Sequence, residues 1–331
     1  MAVSIRKWIR RALVFGAGVA AVGLACAAYG WWIDPRVLVI PLRQAAYMRL
    51  GIASRDITVD GHVWPFLEAG PMDGPVLLFL HGFGASKDAM MELSVPFANR
   101  GWHIIAPDLP GFGEHAFHAG EHHDGVFYAN SVASFMTARG VSHATIVGTS
   151  MGAAIACEMA IDTPERVDGL LMLSPAGVKA PVVNDFMRRV ADGANPLDIA
   201  SGEDFDRVMT SVFANPPSVP APFRRWFVEM AIARRPQTLL IVEAIKPFLS
   251  DGLRGRMGAV GAPTLVLYGA ADAVTDPSML SVFASELPDA RTALIPGAGH
   301  VAFSDNFTGT VRAMLEFMDW AGLGRPSVTL H

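Results

Sequence analysis

The sequence predicts an α/β protein with a mostly parallel sheet covered by helices on both faces, and three observations carry that prediction. Apolar runs of strand length alternate with helical stretches along most of the chain. Several runs, among them Val76-Leu77-Leu78-Phe79-Leu80 and Thr264-Leu265-Val266-Leu267-Tyr268, are apolar almost throughout, the pattern of strands covered on both sides. Gly148-Thr149-Ser150-Met151-Gly152 stands between a strand-like run, Thr145-Ile146-Val147, and an alanine-rich helical stretch at 153–161, so the chain must turn sharply from strand to helix there.

Taken from the N-terminus, residues 12–33 contain no charged side chain. As a helix they extend about 33 Å, enough to cross a hydrocarbon core of roughly 30 Å. Arg6, Lys7, Arg10 and Arg11 precede the run, and Trp31 and Trp32 close it in the manner of an interfacial belt. Residues 1–35 therefore read as a membrane anchor with a cytoplasmic N-terminus and the rest of the chain on the far side. The competing reading is a secretory signal cleaved near Ala25-Cys26-Ala27, which would release a secreted protein. Gly16-x-Gly18-x-x-Ala21 imitates a dinucleotide fingerprint but lacks a surrounding βαβ unit, so no cofactor is implied.

Residues 36–176 read as the first part of the core. An early antiparallel hairpin is expected over 57–67 around Asp60-Gly61, followed by strands ending at Leu80 and at Ala106. After the turn at Ser150 and its helix, 170–173 is the next strand. The pattern then changes: 179–256 is helical and punctuated by Asn195-Pro196, Pro216-Pro217 and Pro220, and strands resume only at Thr264. Residues 177–258 thus read as a helical lid inserted between two strands, with 259–331 completing the core through strands at 264–268 and 292–295 and a helix at 306–320. Phe186, Met187, Met209, Phe213, Trp226 and Phe227 of the lid are candidates for an acyl pocket, methionines being adaptable to flexible chains.

Ser150 has the setting of a nucleophile. A serine on a Gly-x-Ser-x-Gly turn is held in strained geometry at the head of a helix, where outward amides favour negative charge. A nucleophilic serine needs a base and an orienting acid. His300 follows the loop Pro296-Gly297-Ala298-Gly299 after a strand, and Asp272 lies just past the strand 264–268 in Gly269-Ala270-Ala271-Asp272, with Asp276 as a reserve acid. The chain order is Ser, Asp, His. The strand ending at Leu80 runs into His81-Gly82-Phe83-Gly84, whose glycines let backbone amides turn inward. The amides of Phe83 and Met151 are the expected oxyanion donors, and His81 is expected to brace the loop rather than move protons.

These pieces together resemble the α/β-hydrolase fold superfamily, and within it the serine esterases and lipases that include monoacylglycerol-lipase-like enzymes. The resemblance rests on His81-Gly82-Phe83-Gly84 with Ser86-Lys87-Asp88, on Ala106-Pro107-Asp108-Leu109-Pro110-Gly111-Phe112-Gly113, on the turn at Ser150, on Gly269 to Asp272 and on Gly299-His300, in the family's order over roughly residues 55–320. It implies cleavage of carboxylic esters, with lipid-like or acylglycerol esters as the substrate class, through a Ser150–His300–Asp272 triad and an acyl-enzyme, with no cofactor. Two departures are Ala153, where relatives often carry glycine, and Ala89-Met90, where an aromatic is common. Alternatives are a carbon–carbon bond hydrolase of the same fold and a ligand-binding receptor on a hydrolase scaffold.

Composition narrows the partners. In 331 residues, 51% are apolar, 17% are charged and the net charge is −5, with no basic cluster beyond the anchor flank, which argues against nucleic acid. Cys26 and Cys157 are too separated in context to pair, and His115, His118, His122 and His123 fall in a Gly- and Glu-containing loop without metal-ligand spacing.

Overall fold

The computed structural model describes residues 23–324. Eight strands form one sheet: β1 (Ala53–Val59), β2 (His62–Ala69), β3 (Val76–Leu80), β4 (His103–Pro107), β5 (Ala144–Thr149), β6 (Val167–Leu173), β7 (Thr264–Gly269) and β8 (Ala290–Ile295), in the spatial order β1-β2-β4-β3-β5-β6-β7-β8. β1 and β2 pair antiparallel, β2 is antiparallel to β4, and every pairing from β4 to β8 is parallel. The hairpin turns at Asp60 and Gly61, both with positive φ (51° and 84°), the backbone that a two-residue turn between right-twisted strands requires.

Helices cover both faces because the central strands are apolar on both sides. One face carries α3 (Gly125–Ala138), α4 (Met151–Asp162) and α8 (Met279–Glu286), where Tyr128, Phe135, Ile155 and Phe283 join Leu78, Leu80 and Ile146 in a single core. The other carries α1 (Arg36–Leu50), α2 (Met91–Ala98), the short α9 (Ala302–Asp305) and α10 (Phe307–Trp320), with Tyr47, Phe97, Met314 and Phe317 packed on Leu77, Phe79 and Val147. Alternate residues of β3 thus serve opposite cores, and burying each of these side chains contributes roughly 1.5–3 kcal/mol.

Between β6 and β7 run α5 (Asp185–Ala191), α6 (Gly202–Val212) and the long α7 (Ala221–Asp251). α6 and α7 border the loops that follow β3, β5 and β8 at the carboxyl ends of these strands. α1 lies in a stretch that carries no helical expectation, and the helix expected at 306–320 is preceded by the separate turn of α9, with the Asn306 side chain capping α10 by accepting from Gly309 N–H.

The chain passes from β3 out to β4 and then back across β3 to β5, so the sheet has its topological switch between β3 and β5, the place where open parallel sheets leave a crevice at their carboxyl ends. Leu80 pairs with Gly148, which sets the loop after β3 directly beside the turn after β5.

Of the run expected to cross a membrane, residues 12–22 lie outside the described residues, and 23–32 are helical. Among the described residues no helix is long and apolar enough to cross a membrane.

Candidate active site

Ser150 occupies the switch crevice at the junction of β5 and α4, with φ 55° and ψ −113°. A non-glycine residue held there costs on the order of 1–3 kcal/mol and persists only where its surroundings enforce it. The flanking glycines show how. A Cβ on Gly148 would lie 2.4 Å from the Gly152 carbonyl oxygen, and one on Gly152 would lie 2.3 Å from the carbonyl oxygen of Leu80. The turn is therefore pressed into both its own helix and the end of β3, while Ser150 N–H donates to Leu173 O on the neighbouring strand at 2.9 Å.

His300 sits on the loop after β8. Its backbone N–H donates to Val212 O at the end of α6 at 2.9 Å, and its imidazole Nδ1 lies 3.0 Å from Asp272 Oδ2 and 3.2 Å from Oδ1. An ionised carboxylate can only accept, so Nδ1 carries the proton and Nε2 keeps its lone pair. Ser150 Oγ and the His300 ring border the same cavity without a hydrogen bond between them, a contact that in resting hydrolytic sites commonly tightens only when substrate is bound.

Asp272, just past β7, is buried and fully engaged. Oδ1 accepts from Val274 N–H at 2.9 Å and Thr275 N–H at 3.0 Å, and Oδ2 lies 2.9 Å from Thr275 Oγ1 as well as beside the imidazole. Four donors match the four acceptor positions of a carboxylate. Asp276 faces elsewhere: its Oδ1 accepts from Ser278 N–H at the start of α8. Thr275 escaped the sequence reading. Its hydroxyl lies within 3.2 Å of Ser174 O and 3.1 Å of His300 Nδ1 in addition to Asp272, so one buried oxygen touches both members of the pair.

The loop after β3 is braced from within. Leu109 N–H donates to His81 Nε2 at 3.0 Å, which leaves Nδ1 to donate to Gly82 O at 2.8 Å. Complete burial pushes the His81 pKa down, in keeping with this neutral tautomer. Gly82 O accepts also from Ala85 N–H. Because carbonyl and amide of a trans peptide point in opposite directions, fixing Gly82 O aims the Phe83 N–H the other way. At the far end of the loop, buried Lys87 pairs with Asp108 at 2.7 Å and Glu114 at 2.6 Å, and Arg43 of α1 reaches Glu114 at 2.8 Å. Lys87 and Asp108 lie in stretches that carry the family resemblance, whereas Arg43 carries no local sequence signal.

A cavity of about 550 Å³ opens above Ser150. Met209, Phe213 and Phe227 line it, together with Phe83, whereas Phe186, Met187 and Trp226 do not. Met187 instead packs against the core on the α4 face, and Trp226 lies against the ring of Phe227. Leu197, Ile199, Phe205 and Val208, none of them a candidate from the sequence, also line the cavity, as do the charged Asp198, Arg234 and Arg235. Of the clustered histidines, His118 faces His62 at 2.9 Å and His123 faces Tyr128 at 3.2 Å, away from the cavity.

Residues 75–307 match the alpha/beta hydrolase fold family. Lipase 1 of Psychrobacter immobilis is 28% identical over 240 residues, covering 71% of this chain and 74% of the relative. A 2-hydroxy-6-oxo-6-phenylhexa-2,4-dienoate hydrolase of Burkholderia cepacia is 27% identical over 254 residues, covering 74% and 88%. Among solved structures, a membrane phospholipase A described as a bacterial virulence factor superposes with a TM-score of 0.84 at 31% identity, covering 93% of this chain and 98% of that one. With a sheet of this order, a serine on a strained strand-to-helix turn, and a family match over most of its length, the chain belongs to the alpha/beta hydrolase fold family, in its esterase and lipase branch.

Proposed function

We propose that the protein is a serine hydrolase of carboxylic esters with lipid-like or acylglycerol substrates. The observation that carries this reading is the shared cavity: Ser150 on its strained turn and His300 with Asp272 behind it face one apolar chamber large enough for an acyl chain. His300 Nε2 takes the Ser150 proton as the hydroxyl attacks the ester carbonyl, and Asp272 holds the tautomer and stabilises the imidazolium. The amides of Phe83 and Met151 receive the oxyanion. The alcohol leaves with the proton from His300, and water activated by the same ring releases the acid from the acyl-enzyme. Residues 177–258 form the lid, with Met209, Phe213 and Phe227 lining the acyl pocket.

Residues 12–33 tether the enzyme to a membrane. The charge-free run supports this, as do the exposed Trp32 and Ile33 at its end and the exposed Ile40, Leu42 and Met48 that follow it, an unusual display of apolar side chains for a surface facing water.

Ser150→Ala should abolish turnover of a short-chain nitrophenyl ester and labelling by a fluorophosphonate while leaving the melting temperature within a few degrees. Persistent labelling would remove Ser150 from the nucleophile's role. The similarity to a dienoate hydrolase favours carbon–carbon bond hydrolysis as the second reading. Turnover of a 2-hydroxy-6-oxo-dienoate exceeding that of esters would select it.

A further inference from the structure

The cavity wall carries more positive than negative charge. Along α7, Phe227, Met230, Ala231, Arg234 and Thr238 recur at spacings of three and four and all line the cavity, so they form one stripe facing it. Arg234 sits in the middle of this otherwise uncharged stripe. Its neighbour Arg235 is neutralised, its guanidinium gripping both carboxylate oxygens of Asp198 at 2.8–3.0 Å. Arg234 has no such partner: among the described residues no carboxylate lies within ion-pair distance and its guanidinium makes no hydrogen bond. The lining therefore sets two guanidinium groups against the single carboxylate of Asp198.

An apolar residue at position 234 would continue the stripe without desolvating a charge, and a guanidinium offers a planar fork of donors matched to carboxylate or phosphate oxygens. From the unpaired Arg234 in the wall of the chamber that holds Ser150, we propose that the enzyme binds amphiphiles bearing an oxyanion, with the apolar chain in this chamber and the anionic group on Arg234. This rests on Ser150 being the nucleophile and names the substrate class of the same site. Two sources supply that chemistry, the phosphate of a glycerophospholipid substrate and the carboxylate of the released fatty acid.

The test compares kcat/KM for a monoanionic phosphate-bearing acyl ester with that for a neutral acylglycerol of the same chain length. The full-length enzyme should prefer the phosphate ester. Arg234→Met should lower the ratio roughly ten- to hundredfold, the size expected for a charge-assisted hydrogen bond, and Arg234→Lys should retain much of it. If the carboxylate is the source, the ratio instead stays near one in the wild type while inhibition by free fatty acid weakens by a similar factor in Arg234→Met. Direct binding of ether-linked phosphate and neutral analogues to Ser150→Ala by calorimetry reads the same preference without catalysis, so a failure of the ester-hydrolase reading remains distinguishable. Equal ratios, equal inhibition and equal binding in wild type and Arg234→Met would overturn the proposal.

Discussion

At the scale of single residues, the site depends on groups that do no chemistry. Thr275 Oγ1 touches Asp272 and His300 together, so it fixes the angle at which the imidazole is presented. Thr275→Val keeps the shape and removes the hydroxyl. It should lower kcat for a soluble ester about tenfold with KM nearly unchanged and reshape the acid limb of the pH–rate profile, whereas Thr275→Ser should restore much of the activity. A fall in melting temperature alone, with kcat intact, would make Thr275 merely a packing residue.

His81 supplies a second test through stability. Burial lowers its pKa from the ordinary value of 6.5, so the folded protein holds it neutral while the unfolded chain binds a proton below that pH. Protons bound preferentially by the unfolded state make stability rise with pH, so this contribution is lost as pH falls below about 6.5, with a slope of up to roughly 1.4 kcal/mol per pH unit. His115 and His123 are shifted the same way by burial and add to the slope. Melting temperature measured from pH 7.5 to 5 should fall, and His81→Asn should flatten part of that fall. A wild-type curve that rises towards pH 5 would contradict this account.

At the scale of elements, α6 and the loop of His300 are tied by one carboxylate. Asp305 of α9 accepts from Gly299 N–H at 2.8 Å, Ala214 N–H at 3.0 Å and Asn215 N–H at 2.9 Å, while His300 N–H itself bonds to Val212 O. A Cβ on Gly299 would lie 2.7 Å from Ala214 N, so the two segments are in closest backbone contact. Asp305→Ala leaves those three amides unpaired and should cost roughly 1–3 kcal/mol of stability. It should also lower kcat and speed hydrogen exchange at residues 212–216. Unchanged exchange there, with activity retained, would show that the segment after α6 is held by other contacts.

At the scale of the whole molecule, the proposed membrane tether over residues 12–33 and the packing of α1 can be tested separately. If residues 12–33 tether the chain as proposed, full-length protein should fractionate with membranes, resist salt and alkaline carbonate and yield to detergent, because a charge-free segment is held by hydrophobic and not ionic forces. A variant beginning at Pro35 should be soluble and should keep turnover of a water-soluble ester. One beginning at Ala53 loses α1, and with it Arg43 on Glu114, Tyr47 on Asp88 and the burial of Tyr47, so its melting temperature should be markedly lower. A mature chain found in the soluble fraction with its N-terminus at Ala28 would favour the secreted reading.

The sequence by itself determined the alternation of strands and helices, the turn at Ser150 and the positions of His300 and Asp272 at strand ends. Each leaves a local mark: apolar strands covered on both faces cannot carry charge, and a turn as tight as that at Gly148 and Gly152 admits only residues without a Cβ. Which side chains converge was decided by the tertiary structure. Phe186 and Met187 carry the same apolar character as Met209 and Phe213, yet only the latter two line the cavity, because α5 lies aside while the end of α6 is tied to the loop of His300. Thr275 and Asp305 have no pattern to betray them. Their partners lie far away in sequence or, for Thr275, gain meaning only when His300 arrives from a distant strand, and contacts of that kind exist only once the sheet has brought its strand ends together.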